Sequence, residues 1–266
     1  MPEMALIETE IDARGVAELR LNRPEKHNAL SAEMMRELVA AAALLAAEES
    51  VRLVVLCAEG PTFCAGGDLA WMRAQFAMDS ATRRTESQRI AEALGALAAL
   101  PQPLIGRVQG NAFGGGMGLI SVCDMVVGVE GAKFGFTETR LGLLPANIGP
   151  YVIARMGGAA AREVFMNAKI FGAEEARRLN LLNRVVAPEG LEAAVEAEVA
   201  PYLACAPGAV RESKALLNAL VGQVSAAQVD MAIDALAARW ETAEAQEGIA
   251  AFFDKRPAPW ATKSEQ

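Results

Sequence analysis

The sequence predicts an α/β fold with parallel strand pairing, and three observations carry that expectation. Short, wholly apolar runs such as "RLVVLCA" and "MVVGV" have the composition of strands buried on both faces. Helix-period segments separate them, as crossover connections between parallel strands require. A chain of 266 residues, 53% hydrophobic and 22% charged, can also bury the large core that such a sheet needs.

Taken in order, "ALIETEI" and "VAELRLN" read as paired strands, and "NRPEKHN" is a turn carrying proline and asparagine. Ser31 caps a helix over "AEMMRELVAAAALLAAEES", with Met34, Leu38 and Leu45 on one stripe and Glu33 and Glu37 near its positive end. "RLVVLCA" follows as a buried strand, "PLIGRVQG" as another, "GGGMGLISVCD" as a short helix and "MVVGV" as a strand again. From about Gly157 onward helical patterns dominate, and residues 191 to 247 are rich in alanine and glutamate. There is no repeat of 20 to 50 residues and no low-complexity linker.

Composition also excludes chemistry. A net charge of -8 is a poor match for a nucleic-acid groove, which needs clustered cations. His27 is the only histidine, so a multi-histidine zinc site has no ligands and a Ser-His-Asp triad must be built around this residue or not at all. The four cysteines, Cys57, Cys64, Cys123 and Cys205, lack C-x-x-C spacing and read as reduced thiols, Cys57 and Cys123 in the core. Acids within the first ten residues and the lack of an eighteen-residue apolar run lead to the expectation of a soluble, cytoplasmic protein. Carboxylates and backbone groups are left as the leading catalytic candidates.

Two junctions share one grammar of strand, glycine turn and helix: "FCAGGDL" and "NAFGGGMGLI". Each mid-helix glycine costs roughly 1 kcal/mol relative to alanine, so the bare backbone must answer a need. A dinucleotide fingerprint is absent, the residue after Gly115 is Gly116 where a P-loop has lysine, and no G-x-S-x-G elbow occurs. Backbone N–H groups aimed from both turns at one developing negative charge remain, with close helix packing as the alternative for Gly114 and Gly118.

"FCAGGDLAWM" and "GNAFGGGMGLISVCDMVVGVEGAKFGFTETRLGLLPA" resemble the crotonase superfamily, the enoyl-CoA hydratases and isomerases, and the likeness runs from "LNRPEKHNAL" to "FFDKRPAPW". The resemblance implies a crotonase-like spiral of repeated β-β-α turns with a helical C-terminal region. It divides the chain into a spiral catalytic core, residues 1–200, and a C-terminal helical trimerisation region, residues 201–266. It implies a homotrimer or a homohexamer. The substrate is an acyl-CoA thioester, with coenzyme A part of that substrate, and no metal, further cofactor, nucleic acid or membrane is called for.

Carried over by position, the resemblance places an oxyanion hole at the N–H groups of Gly67 and Gly115 and the acid/base at Glu138. Each well-aimed donor to an enolate-like oxygen is worth roughly 3 to 4 kcal/mol. It assigns Ala65, Asp68, Leu69, Met72, Gly118 and Asn147 to the substrate site, and Lys26, His27, Ala29, Leu30, Phe252 and Lys255 to coenzyme A. Asp68, directly after two glycines, suits a helix N-cap that fixes the Gly67 amide. Asn147 fits either a polar pocket contact or a cap, Met72 either the acyl chain or the core, and Lys255 and Arg256 either the coenzyme or a solvated charge pair.

One departure matters more than the matches. Well-studied hydratases of this family carry two glutamates, and the first falls here on Gly118. Glycine neither holds water by charge nor transfers a proton, leaving Glu138 alone; among Phe134, Phe136 and Leu143 its pKa is expected to rise toward roughly 6 to 7. One base and an oxyanion hole suffice for double-bond isomerisation, and for hydration if another group orients the water. "FCAGGDLAWMR" with "LGLLPANIGPYVIARMG" resembles the branch that includes bacterial methylglutaconyl-CoA hydratases, which favours hydration of a branched or carboxylated enoyl-CoA. For a carboxylated acyl group, Arg73 and Arg140 are the candidate partners.

Overall fold

A computed structural model describes residues 6–221 and 224–260. Strands β1 (Ile7–Ile11) and β2 (Val16–Leu21) form an antiparallel pair with Ile7 opposite Leu21. Helix α1 (Ala32–Ala47) begins where the Ser31 hydroxyl accepts the Met34 amide at 3.2 Å, and it turns Met34, Leu38 and Leu45 into the core. Each such buried side chain contributes about 1.5 to 3 kcal/mol.

Next comes the spiral. Strand β3 (Leu53–Ala58), buried along its whole length, runs parallel to β2, and β4 (Thr62–Cys64) leads to α2 (Leu69–Ala74) and α3 (Ser80–Ala98). The pattern repeats as β5 (Leu104–Val108), β6 (Asn111–Phe113) and α4 (Gly115–Ser121), and again as β7 (Met125–Val129), β8 (Lys133–Gly135), α5 (Gly149–Met156) and α6 (Gly158–Val164). With β9 (Ile170–Gly172) and β10 (Arg184–Val186) further along the chain, each turn lays one strand in a large sheet of order β1-β2-β3-β5-β7-β10 and the next in a small sheet of order β4-β6-β8-β9. This is the expected α/β spiral. The small sheet has no counterpart in the sequence reading, and β9 and β10 interrupt the region where helical patterns dominate.

Helices α7 (Ala173–Arg178), α8 (Leu191–Leu203), α9 (Pro207–Val221), α10 (Ala226–Trp240) and α11 (Ala243–Phe253) complete the chain. Helix α10 packs on α3 and α5, and α11 lies against the turn Glu138–Leu141. That approach is backbone to backbone: a Cβ on Gly248 would stand 2.6 Å from the Leu141 carbonyl oxygen, and one on Gly142 2.5 Å from that of Glu244. Leu143, Ala146, Leu236, Trp240, Ala245 and Ile249 form a second small core at this junction. No residue of α9 is buried, and Leu216, Leu217, Leu220 and Val221 are exposed on it. No single helix among the described residues is long and apolar enough to cross a membrane.

Candidate active site

The two glycine turns meet. A Cβ on Gly66 would lie 3.1 Å from the Phe113 carbonyl oxygen and 3.6 Å from the Gly115 nitrogen, so side chains are excluded where the turns touch. Gly66 (φ +97°) and Gly114 (φ +48°) also adopt backbone conformations that L side chains rarely take. Beyond the contact, Gly115 opens α4 as its first residue, and neither its N–H nor that of Gly67 donates a hydrogen bond among the described residues. Two uncommitted amides at one crossing are what an oxyanion site requires.

A strap from the N-terminal turn fixes the first of these turns. Ala65 donates to the His27 carbonyl (3.0 Å), Leu30 to that of Gly66 (2.7 Å), and Asp68 to that of Leu30 (3.0 Å). The strap is anchored by Asn28, whose buried side chain donates to the Glu59 and Thr62 carbonyls, both at 2.8 Å. Ala29 and Leu30 are buried, with Leu30 Cδ1 filling the space where Gly115 lacks a Cβ. Asp68 is likewise occupied: it caps α2 by accepting the Trp71 amide at 2.9 Å and pairs with Arg23 at 2.7 Å. Burial opposes its charge, yet the Trp71 amide and Arg23 outweigh that and hold the carboxyl below the usual range.

Below the turns opens a cavity of about 480 Å³ whose lining includes Ala65, Gly67, Leu69, Met72, Gly115, Glu138, Asn147 and Phe252. Those eight expected residues share one space. Lys26, His27 and Lys255 are exposed and outside it, the His27 Nδ1 lying 3.1 Å from Thr62 Oγ1. Of the two candidate arginines, Arg140 lines the cavity and makes no ion pair among the described residues, whereas the Arg73 guanidinium stacks on Phe253 at 5.3 Å. Arg256 pairs with Glu247 at 2.6 Å.

Glu138 begins a 3₁₀ turn, two residues separating it from the end of β8. Its Oε1 sits 3.1 Å from the position a Gly114 Cβ would take, and its Oε2 is buried without a hydrogen-bond partner. Burial pushes its pKa up to about 7, only partly offset by a backbone hydrogen bond. A carboxyl in this state is neutral or ionised in comparable amounts near neutral pH, as a group that both takes and returns a proton must be. Leu143 is part of its surroundings in the cavity; Phe134 and Phe136 lie deeper, in the main core.

Gly118 does not line the cavity. A Cβ there would fall 2.6 Å from Ile148 Cγ2 and 2.9 Å from Leu94 Cδ1, so the space a glutamate would occupy is filled with hydrocarbon. The cysteines are also out of play as nucleophiles in this region: burial pushes the Cys64 thiol up to about 12.

Sequence reasoning missed the far wall. Trp71, Leu141, Leu144, Pro145, Ala146, Leu236 and Trp240 line the cavity, so α10 contributes to the site as well as to the core. Ile233, Leu236 and Trp240 recur at helical spacing, but nothing in that spacing says what the face covers.

Comparison with known proteins identifies the family. The enoyl-CoA hydratase/isomerase family profile matches residues 12–263. A crotonyl-CoA hydratase of Syntrophomonas wolfei is 31% identical over 250 residues, covering 93% of this chain and 95% of its own. The crystal structure of an enoyl-CoA hydratase from Mycobacterium smegmatis superposes with a TM-score of 0.78 at 36% identity, covering 97% of this chain and 99% of that one. Another, from Mycobacterium avium, reaches 0.86 at 28% identity, with 97% and 99% covered. The chain belongs to the enoyl-CoA hydratase/isomerase family of the crotonase superfamily.

Proposed function

We propose that the protein hydrates a branched or carboxylated 2-enoyl-CoA, methylglutaconyl-CoA-like in chemistry, as a lyase of fatty acid or branched-chain catabolism. The observation that carries this reading is one buried carboxyl, Glu138, lying against the turn of the two uncommitted amides at Gly67 and Gly115. The thioester oxygen accepts from both amides. Glu138 takes a proton from water, the oxygen of that water bonds to the β-carbon, and the double-bond electrons pass to the thioester oxygen as an enolate. Protonated Glu138 then returns its proton to the α-carbon, so that one water is added overall.

Leucine walls at Leu143, Leu144 and Leu236 suit a branched acyl group, and Arg140, without an ion-pair partner among the described residues, offers a cation to a carboxylated one. The exposed leucines of α9 support assembly through the C-terminal region, as a trimer or hexamer. The single carboxyl equally supports a second reading, isomerisation of a 3-enoyl-CoA, in which Glu138 moves one proton between two carbons.

Incubation with crotonyl-, 3-methylglutaconyl- and 3-enoyl-CoA separates these readings. Loss of the conjugated enoyl-thioester absorbance means hydration, and a gain from the 3-enoyl substrate means isomerisation. Tight binding of the whole panel without turnover overturns both and leaves an acyl-CoA binding protein.

A further inference from the structure

The geometry points to Asn147 as the residue that orients the attacking water, the task that Gly118 leaves unfilled; the inference rests on the hydration reading above. Asn147 lines the cavity and is only 5% exposed, yet neither Nδ2 nor Oδ1 has a hydrogen-bond partner. An amide buried with both ends unpaired is costly, and it is retained where a ligand or a reactant completes it. It does not serve the following helix: α5 is preceded by Ile148 and has no side-chain cap.

Its position is set by its neighbour. Ile148 fits into the gap left by the missing side chain of Gly118, with Leu94 closing the other side. The absence of a carboxylate on α4 and the placement of an amide in the cavity wall are thus one packing arrangement. Asn147 and Glu138 supply three buried, unpartnered polar atoms to a cavity whose other side-chain lining is largely apolar, Thr137 and Arg140 excepted.

An amide neither gains nor loses a proton under these conditions, so its contribution is positional. In the hydration step, one hydrogen of the water goes to Glu138. Asn147 Oδ1 accepts the other, which stays on the product hydroxyl, and this leaves an oxygen lone pair directed at the β-carbon. Proton, electron pair and oxygen are all accounted for, and no further reactant is needed.

The test compares Asn147→Leu, nearly isosteric but without polar atoms, and Asn147→Ala with the unmodified enzyme in two reactions. The first is hydration of crotonyl-CoA, whose acyl chain has no polar group for an amide to bind. The second is exchange of the α-protons of butyryl-CoA with deuterated water, which uses Glu138 and the oxyanion amides but involves no attack by water. Hydration kcat is expected to fall about 10- to 100-fold with KM changed less than about 3-fold, while exchange stays within about 3-fold. Hydration and exchange falling together would mean that Asn147 only maintains the shape of the site, and hydration persisting in both variants would mean that it has no part in orienting water. Either result overturns the inference and leaves the hydration reading intact. Exchange without hydration of any enoyl-CoA by the unmodified enzyme overturns that reading, and the inference with it.

Discussion

Glu138→Gln should stabilise the protein at alkaline pH while abolishing turnover. Burial raises the folded-state pKa of Glu138 from 4.5 to about 7. Below pH 4.5 the carboxyl is neutral in both folded and unfolded chains and has no effect on the balance. Between pH 4.5 and 7 the unfolded chain ionises first, so stability falls as pH rises; above pH 7 the penalty is complete. At 1.36 kcal/mol per pKa unit the penalty reaches about 3 kcal/mol, and because Glu138 as a whole is only partly buried it is reduced to about 2 kcal/mol. Glutamine keeps the shape and never ionises. Urea unfolding of both proteins at pH 5 and pH 8 should therefore show a gap between them that is about 2 kcal/mol wider at pH 8, in favour of the variant. A gap independent of pH would refute the assignment of a buried, destabilised carboxylate. Coenzyme A affinity should change little, because the proposed reaction places Glu138 at the acyl end.

Other expectations follow from the same geometry. The kcat/KM profile should lose activity below a pKa near 7 as Glu138 takes up its proton, and a profile flat from pH 5 to 8 would remove it as the base. Gly118→Glu should fail to supply a second carboxylate and should instead destabilise by at least about 1 to 3 kcal/mol, read by thermal unfolding, because its Cβ lands 2.6 Å from Ile148. Asp68→Ala removes a helix cap and strands the Arg23 guanidinium; a loss of about 2 to 4 kcal/mol in chemical unfolding, together with reduced kcat from a loosened Gly67 amide, is expected. Leu220→Glu on α9 should shift sedimentation toward monomer if that face holds subunits together.

Legibility in the sequence followed the range of the interactions. Helix α1 could be read because its cap, its acids and its apolar stripe all lie within its own residues, and the six buried residues of β3 announce themselves by composition. The small sheet could not, because β4, β6, β8 and β9 each have three residues, too few to display a period of two. The glycines at 66, 67 and 114 to 116 signalled a need for bare backbone, but only the fold shows that Gly66 faces Gly115 and that Gly118 faces Ile148 and Leu94. Asn147 stayed ambiguous for a related reason: a cap and a cavity amide look alike until the helix start is located.

The strap at residues 27–30 grips the Gly66 turn entirely through peptide groups. Aim of the Gly67 donor is thereby uncoupled from the identity of the side chains at Lys26 and His27, which project outward. Under the proposed function, selection can retune that rim for a different nucleotide tail or solvent environment without disturbing the Gly67 amide that the strap holds.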